Sequence, residues 1–368
     1  MSNPNAWLHD IDPYAIQLWE GGPIRWYGLS YLLAFVIGYL LVLRVTRAGK
    51  SSLQPAHVAD LILILAIGVV VGGRLGYVIF YQPALLWTFH ENLPWWGVLA
   101  IHDGGMASHG GMLGGAAAAL WFAHRRGIDW AHNLDLLAFG APLGLFFGRI
   151  ANFVNGELIG REAPNWLPWA VKFPQEIYDW PRLAPEKWQQ IAPMLQQWSG
   201  ATEIVRQVQL GNAQVIETLA PMLTARHPSQ LYAALMEGLI VFAVLLWLWR
   251  RPRVPGLIAG AFGVGYALMR IVNELWRRPD VHLLDREFAL LEITRGQWLS
   301  ALLLVAGVWM VWFAHRRGVE PMGSWRRGPW SPQPSERTSP PPPSPPPTPP
   351  STTQHSRREQ PKKRGKKS

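Results

Sequence analysis

Seven stretches of this chain stay apolar for roughly 17–25 residues each, the length over which an α-helix crosses the hydrocarbon core of a bilayer. They run about from Ile24 to Leu43, Val58 to Tyr81, Met106 to Phe122, Leu134 to Phe153, Gln230 to Trp249, Leu257 to Leu275 and Gln297 to Phe313. In lipid every backbone polar group needs an internal partner, so segments of this length can only be helices packed side by side. A chain of 368 residues with 49% hydrophobic and 16% charged residues could also be a large soluble protein. The clustering decides for an all-α membrane protein with seven transmembrane helices. Residues 1–24 contain no Lys or Arg, and the first run is too long for a signal-peptide core, so it is expected to persist as a helix.

Charge sets the orientation. Cytoplasmic connections carry an excess of Lys and Arg. Arg44, Arg47 and Lys50, then Arg125 and Arg126, then Arg250, Arg251 and Arg253, then Arg316 and Arg317 put ten cations on one side. The other side has none between Gln82 and Gly104 and four from Arg277 to Arg295. The N-terminus is therefore expected outside and the C-terminus in the cytoplasm. Residues 1–23 form an external lead, 24–315 the helical domain, and about 155–228 an external insertion rich in Trp and Pro that reads as a cap or arm near the headgroups. The apolar stretch Leu93–Ile101 is too short to cross, so it reads as interfacial or re-entrant.

The net charge of +10 is no nucleic-acid signal, because residues 321–368 hold ten Lys/Arg against two acids and the first 320 residues only +2. Residues 316–368 read as a disordered, Pro-rich, basic cytoplasmic tail. With no cysteine, the chain has no thiol nucleophile or thiolate metal site of its own. No Walker loop or GxSxG elbow occurs, which argues against a nucleotide-driven pump and a serine hydrolase.

Polar residues inside the runs are the functional candidates, since intramembrane charge is costly and usually paired. Under the expected orientation Arg74, Arg149 and Arg270 fall near the outer ends of their helices, as do Tyr27, His109, Gln230 and Tyr232. Three unpaired arginines at one depth invite a shared anion, and a lipid phosphate is the anion at hand. Arg149, Asn152 and Gly156 are spaced to share a helical face, as are Tyr266, Arg270 and Glu274. Competing readings are an arginine snorkelling to the interface, an intrahelical Arg270–Glu274 pair and a satisfied core histidine at His109. Ser229 stands where it could cap the fifth helix, and Glu237, deep in the same run, needs a partner such as one of the arginines. An anion transporter would also gather arginines, but it needs a site near the midplane. A different headgroup transferase on the same bundle is a further alternative.

GGRLGYVIFY (Gly72 to Tyr81), DGGMASHGG (Asp103 to Gly111), GRIANFVNGELIGR (Gly148 to Arg161), RHPSQLYAALMEG (Arg226 to Gly238) and the Tyr266–Arg270–Glu274 stripe together resemble, in order, the motifs of the prolipoprotein diacylglyceryl transferase family. The resemblance implies an inner-membrane enzyme that moves the sn-1,2-diacylglyceryl group of phosphatidylglycerol to the lipobox cysteine of a prolipoprotein signal peptide, releasing glycerol 1-phosphate. It implies no cofactor and no metal. His109, Arg149, Arg270 and Tyr27 would be catalytic; Arg149, Asn152, Glu157, Gly160, Arg270, Glu274, Arg74 and Tyr266 would hold phosphatidylglycerol. His109 would take or relay the thiol proton, and Glu157 and Glu274 would orient the arginines. The insertion near Glu162 to Ala225 is longer than the family pattern leads one to expect. The tail lies outside that pattern.

Overall fold

The computed structural model describes residues 6–16, 24–48, 50–91, 93–101, 104–278 and 295–326. The tail beyond Arg326 lies outside the described residues.

Each apolar run coincides with a helix: α1 (Trp26–Arg47), α2 (Val58–Phe80), α3 (Ser108–Arg126), α4 (Trp130–Val154), a continuous fifth segment, α12 (Leu257–Asn273) and α13 (Arg295–Arg316). Helices α5 to α9, described below, belong to the insertion. The fifth segment is composite, with α10 (Ser229–Ala233), a π-helical stretch (Ala234–Ile240) and α11 (Val241–Leu248) end to end. Five of the seven are long and apolar enough to cross a membrane; α3 and the 17-residue α12 are the exceptions. Glycines shorten and dilute α3. They also let it lie against α2: a Cβ on Gly72 or Gly114 would run into the backbone of the facing helix, the small-residue packing that brings membrane helices close.

Bundle helices that follow one another in the chain are antiparallel, and contacts define two ends. At one end the start of α1 meets the end of α4 (Asn152 to Tyr27), and the end of α2 meets the approach to α3 (Ala107 N–H to Gly73 O, 2.9 Å). At the other, Arg317 makes a two-pronged pair with Asp129, the N-cap of α4 (3.1 and 2.6 Å). Buried Asp135 there accepts from the backbone N–H groups of Gly256 and Ala259, both at 2.8 Å. That side chain satisfies two of the backbone donors at the start of α12. The chain after α13 crosses this end, with Met322 bridging Arg253 and the Trp325 indole donating to Leu246 O at 2.7 Å. The main apolar core, with Leu43, Leu61, Phe122, Leu136, Phe139 and Trp249, also lies toward this end. The opposite end is left to polar groups.

The insertion folds around a small core of its own. A three-stranded sheet places β4 (Val171–Lys172) between β1 (Trp7–Leu8, parallel) and β5 (Ala225–Arg226, antiparallel); β2 (Tyr14–Ile16) and β3 (Ile24–Arg25) form a separate hairpin. Five short helices follow β4: α5 (Trp180–Leu183), α6 (Pro185–Gln190), α7 (Ala192–Gln197), α8 (Ala201–Gln209) and α9 (Ala213–Leu219). They enclose a second core of Ile177, Trp180, Ile191, Ile204, Val208, Val215 and Leu219. Glu176, buried beside it, takes hydrogen bonds from Thr224 and Arg226 (2.8 to 3.2 Å). Burial opposes its ionisation, but the Arg226 guanidinium and Thr224 outweigh it and hold the carboxyl below its usual range.

Candidate functional site

Four elements deliver polar side chains to the end of the bundle that the core leaves open: the starts of α1 and of the fifth segment, and the ends of α4 and α12. Arg149 on α4 directs Nε and Nη2 to one oxygen of Glu237, Oε2, at 3.3 and 3.0 Å. The other oxygen, Oε1, accepts from Asn273 Nδ2 at 3.2 Å and lies 3.8 Å from Arg270 Nη1. Arg270 pairs in turn with Glu274 at 2.8 Å. Glu237 is fully buried, and Arg270, Asn273 and Glu274 nearly so. It sits mid-way along the π-helical stretch, where the wider turn carries it between the two arginines; such bulges recur at functional sites. Gly238 beside it lets α4 close in, since a Cβ there would meet Phe146 at 2.7 Å.

The arginines are therefore not the unpaired cations that spacing alone suggested. Two guanidinium groups and two carboxylates nearly cancel, which is how buried charge is tolerated. Nη1 of Arg149, the more accessible of the two arginines, makes no hydrogen bond among the described residues. Tyr266 lies within electrostatic reach of Glu237, Arg149 and Arg270.

A second tier sits at the exit of α4. Asn152 donates through Nδ2 to Glu157 Oε2 (3.1 Å) and to the Tyr27 hydroxyl (3.4 Å), and Asn155 donates to Glu157 Oε1 (3.2 Å). Glu157 is thus held by two asparagines, not by an arginine as the sequence suggested. Helix α4 ends at Val154, so Gly156 leaves the face shared by Arg149 and Asn152. Its φ of +68° is left-handed, and the Gln175 amide occupies the place a Cβ would take. Gly160 is excluded from any larger residue by the His227 carbonyl.

The loop from 155 to 160 is pinned by its carbonyls. Gln230 Nε2 donates to Glu157 O, Ser229 Oγ to Leu158 O (3.0 Å) and Arg226 Nη1 to Gly160 O (3.2 Å). Ser229 serves this loop instead of capping its own helix, whose N-cap is Pro228. His9 Nε2 donates to Phe153 O at 2.7 Å. Burial keeps that imidazole below its ordinary range, hence neutral.

Arg74 stands apart from this network. Its guanidinium, 4% exposed, is spent on backbone carbonyls, which leaves no N–H for a phosphate. His109 is the second residue of α3, but its side chain lies outside the described residues.

The structure thus gathers Tyr27, Asn152, Glu157 and Gly160 around one loop, and Arg149, Arg270, Glu274 and Tyr266 around Glu237. Glu237, Asn273, Gln230 and Gln175 were missed as site residues. Two of them gave a signal, Glu237 as a lone acid in an apolar run and Gln230 as a polar group at the outer end of its helix.

Residues 13–313 match the family model described as prolipoprotein diacylglyceryl transferase. That span runs through the insertion and stops short of the tail. Among similar proteins, the phosphatidylglycerol--prolipoprotein diacylglyceryl transferase of Bdellovibrio bacteriovorus is 41% identical over 87% of this chain and 97% of its own length. Proteins of the same name from Azospirillum brasilense and Rhodospirillum centenum are 37% and 39% identical, over 83% and 82% of this chain and 96% and 91% of theirs.

Proposed function

Because this chain belongs to the prolipoprotein diacylglyceryl transferase family, we propose that the Arg149–Glu237–Arg270 network and the 155–160 loop form the centre at which its reaction takes place. The protein is a multi-pass membrane transferase that moves a diacylglyceryl group from phosphatidylglycerol to a prolipoprotein. Transport and alternative headgroup chemistry drop out with that membership. The finer reading is ours: seven spans in the inner membrane, the N-terminus and insertion outside, and a lipobox cysteine in a signal peptide as the acceptor. One observation carries the site: Nη1 of Arg149 makes no hydrogen bond among the described residues, while Glu237 holds the Nε and Nη2 of the same guanidinium.

In this reading the lipid phosphate takes the free edge of Arg149 while Glu237 keeps its hold on Nε. The guanidinium stays oriented and is not neutralised by a second bidentate partner. Arg270, tethered by Glu274, adds positive potential from the other side of Glu237. The acceptor thiol loses its proton, the thiolate attacks the glycerol carbon that carries the phosphate, a carbon–sulfur bond forms and the carbon–oxygen bond breaks. The oxygen electron pair leaves with glycerol phosphate, whose growing charge the arginines stabilise in a site largely shielded from water. His109 takes or relays the proton, and Tyr27, Asn152 and Glu157 hydrogen-bond the headgroup.

Proteoliposomes with phosphatidylglycerol and a lipobox peptide, scored for thioether-linked diacylglycerol, test this reading. Full turnover by His109→Gln would remove His109 from the proton step. Wild-type kcat together with wild-type KM for phosphatidylglycerol in Arg149→Lys would overturn the phosphate assignment.

A further inference from the structure

Arg74 is buried in the last third of α2 with no carboxylate partner among the described residues. Five carbonyls surround it instead. Nε donates to Val98 O (2.8 Å), Nη1 to Gly104 O (2.6 Å) and Gly105 O (3.0 Å), and Nη2 to Gly97 O (2.7 Å) and Ala100 O (3.1 Å). A guanidinium carries five N–H groups in a rigid fork, so each has an acceptor. Those acceptors come from the two ends of one loop. Gly97 and Val98 lie in the short 3-10 turn that follows the Phe89–Trp96 pairing, and Ala100 ends that turn; Gly104 and Gly105 lead directly into α3.

The neighbouring residues complete the seat. Gly104 and Gly105 both take left-handed φ, +84° and +79°, turning their carbonyls inward. Gly105 lies flat on the Tyr77 ring, where a Cβ would collide, and the Arg74 guanidinium lies 5.7 Å from the centre of that ring. Ala107 N–H donates to Gly73 O at 2.9 Å. Two residues later comes His109.

We infer that Arg74 is a positioning residue for the transfer reaction: its guanidinium holds the 97–105 loop on α2 and thereby fixes the start of α3, where His109 stands. The inference rests on the proposed reading only in its choice of His109 as the group positioned. Lysine cannot substitute. It keeps the charge but offers three donors from a single point, too few and too close together to span carbonyls at both ends of the loop.

Turnover is measured in proteoliposomes for Arg74→Ala and Arg74→Lys, each alone and combined with His109→Gln. Limited proteolysis across residues 81–107 and thermal unfolding in detergent are followed alongside. Both single variants are expected to lose about 10²-fold in kcat, the scale of a roughly 1 Å misplacement of a reacting group. KM for phosphatidylglycerol should stay within about twofold, since the guanidinium has no free N–H for the lipid. Cleavage between 81 and 107 should quicken, low millimolar guanidinium should partly restore Arg74→Ala but not Arg74→Lys, and adding either change to His109→Gln should cost little more. If the Arg74 variants fail to fold, Gly104→Ala strains the same loop without touching α2 and should reproduce the loss in kcat.

A rise in KM with kcat and loop protection unchanged would overturn the inference and return Arg74 to phosphate binding. So would normal kcat in Gly104→Ala and in folded Arg74 variants. If His109→Gln alone is fully active while the Arg74 variants still lose kcat and loop protection, the proton assignment fails and the loop-holding role stands.

Discussion

Glu237 has each oxygen committed to a different partner, Arg149 on one side and Asn273 with Arg270 on the other. Removing its charge leaves the Arg149 guanidinium without its counter-ion and Arg270 with Glu274 alone, a change worth about 3–5 kcal/mol when one partner of a buried pair is lost. Glu237→Gln should therefore lower the thermal midpoint in detergent as well as activity. Arg149→Lys should do less to stability and more to chemistry: a loss of about 10²-fold in kcat, the scale for one misplaced charge-stabilising donor, with the introduced ammonium still able to pair with Glu237. A Lys variant with wild-type kcat and a raised KM would place Arg149 in ground-state binding alone. The sequence made Glu237 legible as an acid in need of a cation, because such a group in an apolar run has few alternatives. It misled on Arg74, because carbonyls 23 to 31 positions away satisfy a cation as fully as a carboxylate does and leave no trace in side-chain spacing.

The loop leaving α4 owes its shape to two glycines with different reasons. Gly156 needs its left-handed φ; Gly160 needs the space that the His227 carbonyl fills. Gly156→Ala should strain the backbone by about 1–3 kcal/mol and displace Gln175. Activity should fall while the bundle stays folded by circular dichroism, and an active, correctly folded variant would free the loop of its assigned role. Gly72→Leu should act otherwise, wedging α3 away from α2 and lowering stability by at least the about 1–3 kcal/mol typical of overpacking, read as a lower unfolding temperature. Helix positions were legible because apolar runs of membrane length have one outcome. The insertion was not: its helices are four to nine residues long, too short for periodicity to speak, and its core forms only when they close on one another. The π-helical turn was equally hidden, since nothing in ALMEGLI marks a widened turn.

Among the described residues the two largest cores have different surroundings, one inside the helical bundle and one in the insertion. Glu176 couples the second to pH. Its folded carboxyl titrates below the unfolded one, so its contribution is present above about pH 4.5, the ordinary glutamate range, and is lost as pH falls through the folded value. Acid should thus loosen the insertion before the bundle. Tryptophan fluorescence follows this through buried Trp180, and Glu176→Gln should flatten the acid limb. Orientation can be mapped cleanly because the chain has no native cysteine. In intact cells a membrane-impermeant maleimide should label Arg206→Cys in the insertion and spare Arg125→Cys at the far end of α3; the reverse pattern would invert the assignment.

The short parallel pairing of Trp7–Leu8 with Val171–Lys172 also orders assembly in time. The Trp7–Leu8 strand has no ladder neighbour until four helices and some 160 further residues have been made after it. In the proposed orientation it waits outside the membrane, anchored by α1. A bulky N-terminal fusion would therefore be felt late, when that waiting strand finally docks, and its signature would be well-inserted but catalytically immature protein.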